Sequence, residues 1–378
     1  MSPRIVVFGA TGYTGRLVSE ALIGRGAEPV LAGRSRDRLV DLASELGGLE
    51  IALADVSEPA SVAALVEAGD VLVTTVGPFV RWGDVAARAA IERGAHYLDS
   101  TGEPQFIRAV FEAHGPAAER ASIGMLTAFG YDYVPGNLAG ALALREAGAA
   151  ASRVDVGYFL TGRPAANGGL RGLLGGGLGG MSGGTLASTM ESLARPSFAF
   201  RDGRIVAERG AKRVRSFDLG GGSAQGFSVG GSEHFALPRL SPGLRDVNAY
   251  LGWFGPLSRV VQATGLAGAA VASLPAGRRA LAAAAARAAG STGGPSAEVR
   301  AGTGSVILAL ACDGGDRELA RARLVGANGY TFTGEILAWG AMRAADGGLA
   351  GAGALGPVEA FGLDELREGV ASAGLRVQ

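Results

Sequence analysis

The amino-acid sequence predicts an α/β protein with a doubly wound parallel sheet, followed by a second α+β domain whose sheet is mainly antiparallel. Over residues 1–128, apolar runs alternate with amphipathic stretches, which is typical of βαβ units. From about residue 151 the apolar runs become longer, and turn sequences such as Asp202-Gly203 lie between them, which favours antiparallel pairing. A chain of 378 residues is long enough for two domains, each with its own core.

The first domain is predicted to contain six parallel strands. The apolar runs that predict them lie at 5–8, 29–32, 49–54, 71–76, 95–98 and 123–128. The stretches between the runs have the apolar spacing of amphipathic helices. These predicted helices begin after residue 15 and lie further on at 36–46, 57–68, 83–93 and 104–120.

The second domain and the C-terminal segment have different patterns. Strands are predicted at 153–160, 197–206, 305–311 and 318–325, and helical spacing returns at 331–345 and 363–373. We therefore expect a first domain over 1–130 and a second domain over 131–328. Residues 329–378 are expected to form C-terminal helices that pack back on the first domain.

The composition argues against several classes of function. The chain has 35 basic and 35 acidic residues and a pI near 6.9, so its charge does not indicate nucleic acid or an anionic membrane as a partner. Its one cysteine, Cys312, cannot form an internal disulfide, and its three histidines lack metal-ligand spacing, so no metal site is expected. The first residues do not have the pattern of a secretory signal, which predicts a cytoplasmic protein.

Two segments have unusual composition. Residues 168–184 hold ten glycines in seventeen positions, which fits either a flexible linker or a mobile loop over a substrate cleft. Residues 265–290 are rich in alanine, but three arginines and Pro275 interrupt the apolar run. A soluble helix or helical pair is therefore favoured over a membrane segment.

A glycine-rich sequence, GATGYTG at 9–15, follows the first predicted strand and precedes the first predicted helix. A turn of this kind places backbone N–H groups at the positive end of a helix, where a pyrophosphate binds. We interpret Gly9 as the residue of the tight turn, Gly12 as the point of phosphate approach, and Gly15 as the contact of helix on strand. The predicted cofactor-binding residues of this turn are Gly9, Thr11, Gly12, Tyr13, Thr14 and Gly15. The alternative is a glycine-rich turn without a ligand.

Arg34 and Ser35 follow the second predicted strand and bear on the choice of cofactor. Arg34 stands 19 residues after Gly15, where an NAD-binding domain would place Asp or Glu on the ribose hydroxyls. A guanidinium suits a ribose 2′-phosphate instead, because it pairs with phosphate in bidentate fashion. The sequence therefore predicts NADP(H) as the cofactor and a Rossmann domain that binds it. The alternative is a solvated loop arginine.

Loops after the third and fourth predicted strands are expected at the same sheet edge, because ligands bind at the carboxyl ends of parallel strands. Asp55 follows the third strand and is assigned to the adenine side, with a helix N-cap as an equal alternative. Val76, Gly77 and Pro78 follow the fourth strand and are expected beneath the nicotinamide ribose.

Loops after the fifth and sixth predicted strands carry the candidate reactive groups. Asp99, Thr101 and Glu103 are weak candidates for substrate binding, and the alternative for them is capping of the next helix. Tyr131 and Asp132 lie where the chain crosses into the second domain. They are the candidate catalytic residues, because a phenol and a carboxyl can supply a proton or orient a substrate.

One catalytic apparatus is excluded by the sequence. Short-chain ketoreductases require a tyrosine four residues before a lysine. The only lysine is Lys212, and position 208 holds Glu208. The chain therefore lacks the residue pair that the tyrosine–lysine mechanism requires.

Taken together, these motifs resemble the saccharopine dehydrogenase-like oxidoreductase superfamily. The matching segments are GATGYTG at 9–15, AGRS at 32–35, TVGPF at 75–79, YLDSTGE at 97–103, GYDYVPGNL at 130–138, SGGT at 182–185, GYTFTGEILAWGAM at 329–342 and GPVEAFG at 356–362. The pattern is closer to the branch of the mycobacterial-type trans-acting enoyl reductases. True saccharopine reductases carry G-L-D-P-G-x-D-H-L where this chain has two inserted residues and Asn137 in place of an acid–histidine pair.

The resemblance implies a Rossmann domain, a nicotinamide cofactor and hydride transfer. We expect an NADP(H)-dependent oxidoreductase that reduces a conjugated C=C bond of an acyl or polyketide-type substrate, either small or bound to a carrier. One alternative is a C=N reductase acting on an amino-acid imine, whose carboxylates Arg81, Arg163 and Arg171 could bind. The other is a dinucleotide-binding protein without catalysis. A homodimer is left open as the assembly.

Overall fold

The computed structural model describes residues 3–162, 196–253, 255–263, 277 and 293–378. These residues form two compact units. The first unit comprises Met1–Thr101, Phe106–Val134 and Gly329–Gly374, and the second comprises Gly102–Gln105, Pro135–Asn328 and Leu375–Gln378. The expectation for the glycine-rich segment 168–184 lies outside the described residues, as does that for nearly all of 265–290.

The described part of the chain contains strands and helices in both units. The strands are β1 (Ile5–Phe8), β2 (Val30–Gly33), β3 (Ile51–Leu53), β4 (Val71–Thr74), β5 (His96–Asp99), β6 (Gly124–Leu126), β7 (Arg153–Gly162), β8 (Pro196–Arg201), β9 (Arg204–Arg209), β10 (Val214–Asp218), β11 (Ser223–Val229), β12 (Asp246–Leu251), β13 (Thr303–Cys312), β14 (Glu318–Gly326), β15 (Gly353–Ala354) and β16 (Leu375–Val377). The α-helices are α1 (Tyr13–Gly24), α2 (Arg36–Glu45), α3 (Pro59–Ala63), α4 (Phe79–Arg93), α5 (Pro104–Ala109), α6 (Gly115–Arg120), α7 (Val134–Ala147), α8 (Glu233–Leu240), α9 (Ala297–Ala301), α10 (Gly329–Ala345), α11 (Pro357–Phe361) and α12 (Leu363–Ser372).

The first unit is built on a parallel sheet of seven strands in the order β15-β6-β5-β4-β1-β2-β3. All of its neighbouring pairs are parallel, as predicted. Every residue of β1 and β4, at the centre of the sheet, is buried. The β-branched, apolar runs of these strands suit burial on both faces, because helices cover both faces of such a sheet. The carboxyl ends of the strands therefore meet at one edge, which is where the candidate site lies.

Helix α10 is part of the first unit and packs on α1. A Cβ added to Gly334 would lie 3.0 Å from the Leu17 side chain and 3.1 Å from its backbone, so the two helices approach closely at this glycine. Arg25 donates to Glu335 at 2.9 Å across the same helix pair. Helix α10 is thereby fixed beside the first helix.

The second unit has a nine-stranded mixed sheet that is mostly antiparallel, so the predicted fold class is confirmed. Its main path is β10-β11-β12-β7-β13-β14-β16, with β8 on β12 and β9 on β8, and β12 and β7 are the parallel pair. Phe159, Phe217 and Tyr250 pack edge to face in its core. These rings connect strands that are not neighbours in the sheet, β7 with β10 and β10 with β12.

Several element boundaries differ from the predictions. The single strand expected at 197–206 is the hairpin β8–β9, because the chain turns at Asp202 and Gly203, both of which have positive φ. The helix expected at 57–68 is only α3, and the helix expected at 83–93 begins at Phe79, because Pro78 fits the position before a helix. Within the described residues no helix is long and apolar enough to span a membrane.

Candidate functional site

The glycine turn between β1 and α1 is held by contacts of backbone on backbone. Gly9 has φ +91°, a conformation that glycine adopts without strain. A Cβ added to Gly15 would lie 2.2 Å from the Gly9 carbonyl oxygen, and one added to Gly9 would lie 2.8 Å from Thr75 Oγ1. The Gly12 N–H donates to the Gly9 carbonyl at 2.9 Å. Glycine is therefore required at 15 by space, and at 9 by both space and backbone angle.

The N-terminus of α1 emerges from this turn without a capping side chain. Gly12 is the N-cap residue and, having no side chain, makes no side-chain cap hydrogen bond, and no residue of the first turn is acidic. The first turn of a helix carries unsatisfied N–H donors and the positive end of the dipole. The turn is thus physically suited to a phosphate group.

The loops after β2 and β3 form the side predicted to hold the adenosine. Arg34 is exposed at the end of β2, and Ser35 is the N-cap residue of α2. Asp55 accepts from the Ser57 N–H at 2.8 Å and from its hydroxyl at 2.7 Å. These bonds, with the nearby charge of Arg34, lower the pKa of the Asp55 carboxyl. Helix α3 has Glu58 as its N-cap residue, so the alternative of Asp55 as N-cap is wrong.

Arg38 is a residue of this side that the sequence analysis missed. Its Nη2 donates to the Thr11 carbonyl of the glycine turn at 2.9 Å, while the residue remains exposed. Arg38 lies four residues after Arg34, on the first turn of α2. The sequence shows three arginines after β2, at 34, 36 and 38, but nothing in it indicates which of them bonds to the glycine turn. The bond to Thr11 brings a second guanidinium next to the glycine turn.

The loop after β4 packs directly on the glycine turn. Thr75 Oγ1 donates to the Gly9 carbonyl at 3.2 Å, and Val76 Cγ2 would lie 3.0 Å from a Cβ on Gly9. Gly77 and Pro78 continue the loop, and Pro78 is the N-cap residue of α4. Val76, Gly77 and Pro78 are therefore at the same sheet edge as the turn.

Asp99, at the end of β5, connects two loops inside the protein. Its side chain is fully buried, and Oδ1 accepts from the N–H groups of Thr101 at 2.8 Å and Ala128 at 2.9 Å. Burial raises the pKa of the Asp99 carboxyl to about 6, although these two N–H groups favour the charged form. Thr101 and Glu103 are buried as well. At least one oxygen of Asp99 is thus engaged in holding the loops after β5 and β6.

Tyr131 and Asp132 follow β6 in largely buried surroundings. Tyr131 is 5% exposed, and its N–H donates to Thr333 Oγ1 at 3.0 Å. Asp132 Oδ1 is buried and has no hydrogen-bond partner among the described residues. Burial raises the pKa of the Asp132 carboxyl to about 7. A carboxyl group in this state can hold a proton near neutral pH and release it.

The first turn of α10 contacts both ends of this edge. The Tyr330 ring lies edge to face with that of Tyr13, with 5.2 Å between centroids, at the start of α1. A Cβ added to Gly329 would lie 3.0 Å from Cγ of the Tyr131 ring. The sequence analysis did not place this turn at the site. A glycine-rich, aromatic sequence at 329–334 was the signal that could have found it.

Comparison with known proteins bears on both the domain and the fold. Residues 9–136 match a family model described as NAD(P)H-binding. The chain is 36% identical over 140 residues to the trans-acting enoyl reductase of Mycobacterium leprae (strain TN). The matched segment covers 35% of this chain and 34% of that protein. The trans-acting enoyl reductase of Mycobacterium tuberculosis (strain ATCC 25618 / H37Rv) gives the same values.

Likeness in structure extends over the full length. The apo saccharopine dehydrogenase (L-Glu forming) from Saccharomyces cerevisiae superposes with a TM-score of 0.60 at 12% identity, covering 100% of this chain and 99% of that one. The resemblance to the saccharopine dehydrogenase-like superfamily is confirmed. Its basis is the shared fold of the whole chain and the sequence shared with the trans-acting enoyl reductases. The chain spans about a third of the length of the curated relatives it matches.

Replacing Gly15 by Ala tests the backbone contact in the glycine turn. We expect Gly15→Ala to lower the free energy of unfolding by about 2 kcal/mol or more, because the new Cβ cannot fit beside the Gly9 carbonyl. NAD(P)H binding should be lost along with it. Gly24→Ala is the matched control, since a Cβ at Gly24, on the same helix, meets nothing within 4 Å. It should be neutral or slightly stabilising. Urea unfolding and NADPH fluorescence titration measure both variants, and normal binding by Gly15→Ala would contradict the interpretation.

Asp132 should make activity depend on pH near neutrality. Because its folded pKa is about 7 and a proton donor must be protonated, turnover should fall as pH rises through about 7. Above that value it should fall about tenfold per pH unit, and Asp132→Asn should remove this dependence.

The raised pKa of Asp132 also affects stability. It lowers the free energy of unfolding as the pH rises from about 4, the pKa of this carboxyl in the unfolded chain, to about 7, its pKa in the folded protein. Asp132→Asn should therefore raise Tm more at pH 8 than at pH 5. An equal effect on Tm at both pH values would exclude the raised pKa.

Proposed function

We propose that this chain is an NADP(H)-dependent oxidoreductase that reduces the conjugated C=C bond of an acyl or polyketide-type thioester. One observation carries the proposal. A single unit brings an uncapped helix N-terminus, two arginines on one side of it and a buried tyrosine–carboxyl pair on the other to one sheet edge. A nicotinamide dinucleotide needs these three environments in that order.

The glycine turn and the two arginines would hold the phosphates. The first N–H groups of α1 would bind the pyrophosphate, with Thr11, Tyr13 and Thr14 in the turn. Arg34 and Arg38 would pair with the 2′-phosphate, because a guanidinium on each side can donate to separate phosphate oxygens. Val76, Gly77 and Pro78 would lie beneath the nicotinamide ribose. This arrangement supports NADP(H) rather than NAD(H).

The reaction needs a hydride and a proton, and side chains of the protein must control the delivery of the proton. The chemistry that NADPH would supply when bound is a hydride for the β carbon of the enoyl group, with the electron pair of the C=C bond moving toward the thioester carbonyl. The resulting enolate takes a proton at its α carbon. Asp132, neutral below about pH 7, is the proposed proton donor. The Tyr131 hydroxyl is the proposed hydrogen-bond donor to the enolate oxygen, where it would stabilise the developing charge.

The relatives favour C=C reduction over the alternatives. The mycobacterial proteins are named as trans-acting enoyl reductases. We propose that this chain likewise acts on an acyl chain, small or carrier-bound. The yeast protein shares only the fold at 12% identity, so it supplies no argument for an amino-acid imine.

The test is hydride transfer to a defined enoyl thioester. Purified protein is incubated with NADPH and crotonyl-pantetheine, a small mimic of a carrier-bound acyl group, and loss of NADPH absorbance is followed with mass analysis of the product. The expected result is saturable formation of butyryl-pantetheine, abolished by Gly15→Ala. A parallel reaction supplies glutamate with an aldehyde to form an imine. Turnover of the imine without turnover of the thioester would overturn the proposal in favour of C=N reduction.

Cofactor preference should depend on Arg34 and Arg38. Each of Arg34→Ala and Arg38→Ala should weaken NADPH binding by roughly 1.5–3 kcal/mol, or one to two decades in Kd, because a charge-assisted phosphate pair is lost. NADH binding should change by less than about threefold. Arg36→Ala is the matched control, since Arg36 is exposed between them in the chain and lies about 200° around α2 from Arg38. Fluorescence titration with both cofactors measures the difference. Equal losses for NADPH and NADH, or a wild type that prefers NADH, would contradict the assignment.

A further inference from the structure

Thr333, on the first turn of α10, is hydrogen-bonded to the segment that carries the proposed catalytic residues. Its hydroxyl accepts from the Tyr131 N–H at 3.0 Å and donates to the Gly329 carbonyl at 2.8 Å. One hydroxyl therefore satisfies a partly buried backbone donor of the loop and is itself bonded to its own helix. Loss of a partner from a buried backbone N–H is costly, because water cannot readily replace it.

The surrounding contacts are shaped to this arrangement. A Cβ added to Gly130 would lie 3.0 Å from Thr333 Cγ2, so the loop and the threonine are already in close contact. The Tyr131 ring packs on Gly329 and lies edge to face with Phe332, with 6.5 Å between ring centroids. Small residues on both sides and an aromatic neighbour thus enclose the backbone and ring of Tyr131.

The same helical turn reaches the cofactor-binding turn. Tyr330 contacts Tyr13 at the N-terminus of α1, while Gly329, beside it in the chain, contacts Tyr131. The start of α10 thereby connects the proposed pyrophosphate turn with the proposed proton donor. All of these residues belong to the first unit.

We propose that Thr333 is a positioning residue: its hydroxyl holds the Tyr131–Asp132 backbone at the orientation from which both side chains act. The expected effect of Thr333 on turnover rests on the proposed function. The hydrogen bond between Thr333 and the Tyr131 N–H is independent of that proposal, and it can be measured without substrate.

The test compares three variants by hydrogen exchange and kinetics. Thr333→Val keeps the shape but removes the hydroxyl, whereas Thr333→Ser keeps the hydroxyl. Thr331→Val makes the isosteric change two residues earlier, which places it about 200° around the helix. In the ligand-free protein, Thr333→Val should speed amide exchange in the peptide covering residues 128–134 by about tenfold or more. Thr333→Ser and Thr331→Val should exchange like the wild type.

Kinetics with NADPH and crotonyl-pantetheine form the second arm. Thr333→Val should lower kcat about tenfold while KM for NADPH stays within about twofold, and Thr333→Ser should restore most of kcat. Unchanged exchange in Thr333→Val would overturn the proposal, as would a Thr333→Ser variant as impaired as Thr333→Val. A wild type that turns over no thioester would count against the proposed function alone, because the exchange arm reports directly on the hydrogen bond.

Discussion

The candidate site depends on one close contact, between the first turn of α1 and the end of β1. No side-chain atom fits between Gly15 and the Gly9 carbonyl, so the helix begins directly above the strand. The loop after β4 packs on Gly9 through Thr75, and Arg38 on α2 donates to the Thr11 carbonyl of the same turn. A displacement of this turn would therefore also disturb the loop after β4 and the first turn of α2. The open N-terminus of α1 is therefore a consequence of packing, and the anion site follows from it.

At the other end of the edge, two buried carboxyl groups have different environments. Asp99 accepts two backbone hydrogen bonds, which favour its charged form and hold its raised pKa to about 6. Asp132 Oδ1 lacks such donors among the described residues, and burial raises the pKa of this carboxyl to about 7. Carboxyl groups whose pKa values differ in this way can take different roles. Asp99 is suited to holding the loops after β5 and β6, and Asp132 is suited to carrying a proton.

The sequence predicted the parts of the fold that local pattern determines. Six of the seven parallel strands of the first unit follow from β-branched, apolar runs, whereas the two-residue β15 was not predicted. The glycine turn follows from spacing and its place between strand and helix. Strands β10 and β11 were not predicted, since they contain few consecutive apolar residues and owe their burial to partners such as Phe159 and Tyr250. Arg38 and Thr333 were missed for a related reason. Each acts through a bond to a residue 27 or 202 positions away, and single-sequence periodicity carries no signal of such pairing.

The most direct test of this account is a crystal structure of the protein with NADP⁺ bound. The account predicts a pyrophosphate on the first N–H groups of α1 and a 2′-phosphate between Arg34 and Arg38. It also predicts a nicotinamide ring that extends past Val76 toward Tyr131 and Asp132. A dinucleotide bound away from the glycine turn, or a nicotinamide directed away from Asp132, would contradict it.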